Sequence, residues 1–217
     1  MFELPLFPLD TVLFPGMPLQ LHVFEDRYKR MIRKCLAGRK PFGVVLIRHG
    51  REAIGPLAEP YDIGCTARIL EVRPLSEGRM NIVALGQKRF RIFSIRAENS
   101  YLVGEVDDYP LRGTLSRGLS DAGRRLFPWV KRYMQILTEA SDMNLDPSHL
   151  PSDPLVLAYL AAVLLQIPAE QKQKLLALED ARTFLENINE LYRREVALLR
   201  VLLAREILEN IGQFSLN

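Results

Sequence analysis

The strongest constraint in this sequence is a change of hydrophobic period near residue 112. Before it, apolar and polar residues alternate, as half-buried strands require; after it, apolar residues recur every three or four positions, as on helices. Segments Pro18–Phe24, Phe42–Arg48, Ile63–Leu75, Met80–Ala97 and Tyr101–Leu111 are rich in Val, Ile, Phe and Tyr and are separated by Gly, Pro and acidic turn residues. Ser76–Arg79 reads as a hairpin turn in which Gly78 supplies a positive φ. Gly86, in mid-strand, predicts a bulge or bend that would help a sheet close. One helix interrupts the strands, at about Glu25–Leu36. Tyr28, Met31, Ile32 and Cys35 form its single apolar stripe, and Gly38 is its stop.

In the second half, Ser120–Glu139 predicts a helix through Leu126, Trp129, Val130, Tyr133 and Ile136 that tolerates or kinks at Pro128. Ala140–Pro151 reads as a loop. Asp153-Pro154 is an N-cap with proline at the first helical position, opening the apolar run Leu155–Leu165. Gln166-Ile167-Pro168 breaks that run and starts a further helix ending near Leu178. Asp180 caps a long last helix, whose stripe Leu185, Ile188, Tyr192, Val196, Leu199, Leu203, Ile207 and Ile211 covers about seven turns. The expected architecture is α+β. A small mixed β-barrel over residues 1–114 is followed by an α-helical bundle over 115–217 that ends in the long helix, with a Gly/Ser-containing boundary near Arg112–Leu119.

Composition and motifs remove many function classes. The chain of 217 residues is 48% hydrophobic and 25% charged, which argues against disorder. Its eleven-residue apolar run is too short to span a bilayer, and the N-terminus does not read as a signal peptide, so a cytoplasmic protein without a membrane segment is expected. The two cysteines, Cys35 and Cys65, read as buried free thiols. No phosphate-binding loop, dinucleotide fingerprint, nucleophile elbow or zinc spacing occurs, and His22, His49 and His149 lie far apart. No catalytic residue, cofactor or metal is therefore expected. A hydrolase would need a Ser or Cys within reach of one of these histidines, inside a pocket.

Four features remain. Around Pro15-Gly16, a turn, Leu13, Phe14, Pro15 and Met17 can be read as a folding signature or as an exposed apolar rim. Arg89 and Arg91 read most simply as a solvated strand face. Arg27, Lys29, Arg30, Arg33, Lys34, Arg39 and Lys40 form a basic cluster that is either solvated surface, a site for an acidic protein, or a phosphate contact. The long terminal helix packs in its own bundle or meets a partner. The net charge of +3 is too small to imply nucleic acid by itself.

The stretch LPLFPLDTVLFPGMPLQL at 4–21 resembles the opening of the N-terminal domain of ATP-dependent Lon proteases. IGCTARILEV at 63–72 and ALGQKRFRI at 84–92 also resemble that domain, as do DPLVLAYLAA at 153–162 and IPAEQKQKLLALEDARTFLE at 167–186. The order and spacing of these stretches hold from about residue 2 to about residue 205. The resemblance implies a PUA-like barrel followed by a helical subdomain that captures unfolded or damaged polypeptides and supports assembly. It also implies a stand-alone substrate-binding domain, since the ATPase and Ser-Lys peptidase parts are not in these residues. The same module occurs in cereblon-type ubiquitin-ligase receptors, which recognise proteins without cutting them. The expected function is non-enzymatic binding of unfolded or hydrophobic polypeptide segments, with a protease as a further partner and a monomer or weak homodimer as the working form. The expected contacts are Leu13, Phe14, Pro15, Met17, Phe42, Tyr61 and Tyr101. The alternative is an RNA-binding PUA-like domain that uses residues 27–40.

Overall fold

The computed structural model describes residues 1–50, 58–98, 101–140 and 145–214. In chain order the elements are β1 (Phe2–Leu9), β2 (Pro18–Val23), α1 (Asp26–Gly38), β3 (Phe42–His49), β4 (Glu59–Pro60), β5 (Ile63–Pro74), β6 (Met80–Glu98), β7 (Tyr101–Asp108), α2 (Arg117–Ala140), α3 (Pro154–Leu164), α4 (Ala169–Leu176) and α5 (Ala181–Phe214). The chain divides into two compact units: Met1–Arg112 with Ala162–Glu179, and Gly113–Ala161 with Asp180–Asn217. The segment 162–179, which its helical period groups with the second half, thus belongs to the strand-containing unit.

In the first unit, pairings run β1–β7–β6–β5–β3 and return from β3 to β1, closing a ring in a mixed seven-stranded sheet. The closing β1–β3 pair is parallel and the others are antiparallel. β2 attaches to β6 outside this ring, and β4 to β3. Closure requires strands to bend. The register shifts mark where they bend: Leu70 is an extra residue on β5 between Ile69 and Glu71, Phe93 is extra on β6 between Ile92 and Ser94, and Gln87 and Lys88 on β6 together face Thr66 on β5. The irregularity expected at Gly86 therefore begins at that residue. A Cβ there would stand 2.2 Å from the Phe14 carbonyl oxygen, so the glycine also serves a close backbone approach.

Two buried clusters use opposite faces of the strands. Leu4, Leu6, Val45, Phe90, Ile92, Leu102 and Val106 form one, drawn from β1, β3, β6 and β7. Side-chain-free Gly43 and Gly64 make room for Phe90, whose Cζ would lie 2.7 and 2.6 Å from a Cβ at those positions. The other cluster includes Phe7, Leu9, Leu19, Val23, Phe42, Val44, Met80 and Ile82 and is covered by α1 through Tyr28, Met31, Ile32 and Cys35. The sequence stripe of α1 is therefore its buried face, and Phe7 stacks on Tyr28 with ring centroids 4.1 Å apart. The hairpin turn has Gly78 at φ 69° as its sequence requires, with Glu77 also left-handed at φ 59°.

In the second unit, α2 passes through Pro128 without ending. Asp153 Oδ1 accepts the backbone N–H of Leu155 and Val156, and Asp180 Oδ1 accepts that of Thr183, so both expected N-caps form. Tyr192 is fully buried, meets Tyr133 edge-on and donates its hydroxyl proton to the Ala161 carbonyl at 3.0 Å. The α5 stripe is buried at Leu185, Ile188, Tyr192 and Val196, while Leu199 and Leu203 are half-buried. The side chains of Ile207 and Ile211, and residues 141–144 of the expected loop, lie outside the described residues.

Replacing Gly86 by Ala should destabilise the protein by about 1–3 kcal/mol, because the new methyl meets backbone that cannot move aside. Thermal unfolding of Gly86→Ala should show a fall in Tm of several degrees, whereas Gly38→Ala, whose Cβ meets only Lys40 at 3.5 Å, should leave Tm unchanged or raise it.

Candidate functional site

The expected apolar contacts do not gather on one exposed surface. Leu13, Phe14, Phe42 and Tyr101 are core residues, at most 2% exposed. Pro15, Met17 and Tyr61 are half-buried; Met17 packs against the α1-covered cluster and Tyr61 lies under the Arg48 guanidinium, 5.0 Å from its ring centroid. The reason is local. Met17 N–H donates to Phe14 C=O at 3.1 Å across a Pro15-Gly16 turn with Gly16 at φ 80°, and Gly16 and Met17 bond to Gly86 on both its N–H and C=O. That clamp faces Leu13 and Phe14 inward, so they do not form an exposed rim.

The surface that opens instead is a concavity of about 370 Å³ on the three-stranded part formed by β2, β6 and β5. Gln20, Leu21 and His22 line it from β2, Asn81, Ile82 and Val83 from β6, and Glu71 and Arg73 from β5. Strand alternation explains the division of labour: Leu19, Val23, Met80, Ile82 and Ala84 are buried toward α1 with Leu21 packed against them, while Gln20, His22, Asn81 and Val83 face outward. The register sets cross-strand rows Gln20–Val83–Glu71 and His22–Asn81–Arg73. Within them His22 Nδ1 donates to Asn81 Oδ1 at 2.7 Å, and Arg73 Nε donates to Glu71 Oε1 at 2.6 Å. The floor is thus mixed and without net charge, with these polar groups paired to one another and Val83 between Gln20 and Glu71 in the first row.

The basic cluster on and after α1 is largely engaged by the chain itself. Arg27 pairs with Glu25 at 2.9 Å, Lys29 with Asp26 at 2.7 Å and Lys34 with Glu98 at 3.0 Å, while Arg33 donates to the Gly78 carbonyl at 3.4 Å. Four of the seven charges therefore have acceptors of their own, which is a poor arrangement for binding phosphates.

Chemistry of the catalytic kind needs a nucleophile and base in a pocket. Ser148 Oγ does lie 3.1 Å from His149 Nδ1, with Asp146 Oδ2 3.0 Å from the same nitrogen. But both partners meet the same ring nitrogen, unlike a triad in which they sit on opposite sides, and His149 is 84% exposed on a one-turn helix where Asp146 caps Ser148. Burial pushes the Cys35 thiol up to about 11 and the Cys65 thiol up to about 12, so both stay protonated at neutral pH. Among the described residues no three His, Cys, Asp or Glu side chains gather to hold a metal, and no helix is long and apolar enough to cross a membrane.

One group of functional-looking residues has a structural role that the strand pattern hides. Arg89 is only 3% exposed, contrary to its reading as a solvated side chain. Its Nη1 donates to the Leu176 and Leu178 carbonyls at 2.6 Å each, and its Nε donates to the Tyr109 carbonyl at 3.1 Å. Arg91 is the exposed partner: its Nη2 reaches Tyr109 Oη at 2.9 Å and Glu179 Oε1 at 3.1 Å. Gln173 Nε2 adds a buried bond to the Ile63 carbonyl at 2.9 Å. Together these fasten α4 and the residues after it to the strands. Only the placement of α4 reveals this, because the acceptors are backbone carbonyls, which carry no sequence signal.

The strand-containing unit is thus a closed ring of strands that carries an open, charge-balanced concavity, and among the described residues β2 pairs only with β6. A family model described as the ATP-dependent protease La (LON) substrate-binding domain matches residues 3–194, and the chain belongs to that family. It is 26% identical over 208 residues to a Lon protease of Anaeromyxobacter dehalogenans, covering 91% of this chain and 24% of that one. The chain thus spans about a quarter of the length of the curated relatives it matches. The crystal structure of a Lon N-terminal domain protein from Xanthomonas campestris is 28% identical with a TM-score of 0.62, covering 87% of this chain and 97% of that one. The N-terminal domain of a Mycobacterium avium complex Lon protease, 20% identical with a TM-score of 0.66 over 88% of this chain and 98% of that one, shares the fold.

Arg89→Met should cost about 3 kcal/mol or more in denaturant unfolding, since buried carbonyls left without donors cost about 1–3 kcal/mol each. Arg91→Met, at an exposed pair, should cost about 1 kcal/mol or less. Glu179 is held below its ordinary 4.5, first by the Tyr109 hydroxyl and then by Arg91. A carboxylate lowered in the folded state contributes stability above its unfolded value and loses it as pH falls through the folded value. Thermal melts between pH 6 and about pH 3 should therefore show a shallower acid loss in Glu179→Gln than in the parent.

Proposed function

We propose that this domain is a non-catalytic polypeptide-binding module that captures unfolded or exposed hydrophobic protein segments. The observation that carries the reading is the concavity on β2, β6 and β5, open on the outside of a well-packed sheet and belonging to a substrate-binding family. The matched relatives are Lon proteases, which supports a protease as a further partner. Two buried free thiols fit a reducing cytoplasm. The RNA reading has less support, because most of the basic charge on α1 is matched within the chain.

A titration of the purified protein with a fluorescent unfolded polypeptide, and in parallel with a short RNA, each at two salt concentrations, tests this. The expected outcome is saturable polypeptide binding that changes less than about threefold from 50 to 200 mM salt, against the roughly thousandfold loss of phosphate-driven binding. Salt-sensitive RNA binding without polypeptide binding would reverse the assignment.

A further inference from the structure

The register of β2 on β6 decides which backbone groups point outward. Gly86 N–H donates to Met17 C=O at 2.9 Å, spanning the Pro18–Leu85 pair, and Pro18 has no N–H to give. That pair is therefore the non-hydrogen-bonded kind. Strict alternation makes Leu19–Ala84, Leu21–Ile82 and Val23–Met80 the bonded pairs, and it turns the N–H and C=O of Gln20 and His22 away from β6. Among the described residues no strand pairs with that side of β2. Proteins usually defend such an edge with charged residues, proline or a bulge. β2 reads PLQLHV: it has proline only at its start and no charged side chain, and Gln20 and His22 are both exposed.

Two residues of outward ladder, repeating at about 6.8 Å, match the donor–acceptor spacing of another extended backbone. The surroundings limit what that backbone can carry. Glu71 and Arg73 neutralise each other in the adjoining concavity, so charged segments gain nothing there. Phe24, 44% exposed at the end of β2, stacks on His22 with centroids 5.8 Å apart and offers an apolar shelf beside the edge.

We infer that an extended, uncharged polypeptide segment adds to β2 as a further strand, bonded to the backbone of Gln20 and His22, with an apolar side chain on Phe24. The inference rests on the polypeptide-binding reading and gives it an address and a substrate class. Binding of this kind is selective for unfolded chains, because a folded partner has already paired its backbone.

The probe is a fluorescein-labelled peptide of about nine residues, alternating Val and Thr around a central Phe, together with the same peptide N-methylated at alternate amides. Methylation removes ladder donors and keeps every side chain. Expected results are at least about tenfold weaker binding of the methylated peptide and of the unmodified peptide to Gln20→Pro, and a clear loss with Phe24→Ser. Circular dichroism checks that both variants remain folded. In the free protein the Gln20 and His22 amides should exchange with solvent faster than those of Leu19 and Leu21, and they should slow on peptide binding. Equal binding of both peptides, or Gln20 and His22 amides already as slow as their neighbours, overturns the edge site while leaving polypeptide binding intact. Absence of binding by the peptides and by the unfolded polypeptide alike overturns both.

Discussion

A guanidinium group placed away from water costs several kcal/mol unless its hydrogen bonds are replaced. Arg89 donates to three backbone carbonyls: Leu176 at the end of α4, Leu178 just beyond it, and Tyr109 just after β7. The end of a helix is where carbonyls lack partners and where the aligned peptide dipoles leave negative charge, so a buried cation suits the last turn of α4, where Ala177 and Leu178 bond to the Gln173 and Leu175 carbonyls and Arg89 takes that of Leu176. The bond joins positions 87 residues apart and brings residues 162–179 into the strand-containing unit. Tyr109, Arg91, Glu179 and Gln173 add bonds around it, but only Arg89 places charge in the interior.

The docking face follows from the length of β6. Its nineteen residues exceed what one ring position needs. Its second half pairs with β7 in the ring, and its first half carries β2 on one side and β5 on the other. Among the described residues β2 is thereby left with a partner on one side only. The buried faces of these strands pack under α1, which holds their outer face and free edge in a fixed geometry. A preformed edge spares an incoming segment the ordering of its receptor, although the segment still loses its own conformational freedom.

Local interactions were legible because their physics operates within a few residues. Asp153 and Asp180 cap the helices that follow them, Gly78 takes the positive φ its turn demands, and Tyr28, Met31, Ile32 and Cys35 are the buried face of α1. The candidate site was much less legible. Phe14 reads either as part of a folding signature or as an exposed rim, and the bonds to Gly86 decide for the core. The α5 stripe continues in sequence past Val196, but full burial does not: Leu199 and Leu203 are only half-buried.

By itself the sequence determined the two grammars, the helix caps, the turn chemistry and the stripe of α1, since each depends on periodicity or on side chains bonding to neighbouring backbone. Only the tertiary structure decided that Arg89 is buried, that β1 closes on β3, and that β2 attaches to β6 outside the ring. Those outcomes depend on which distant backbone groups find partners, and backbone donors and acceptors are the same at every position except proline.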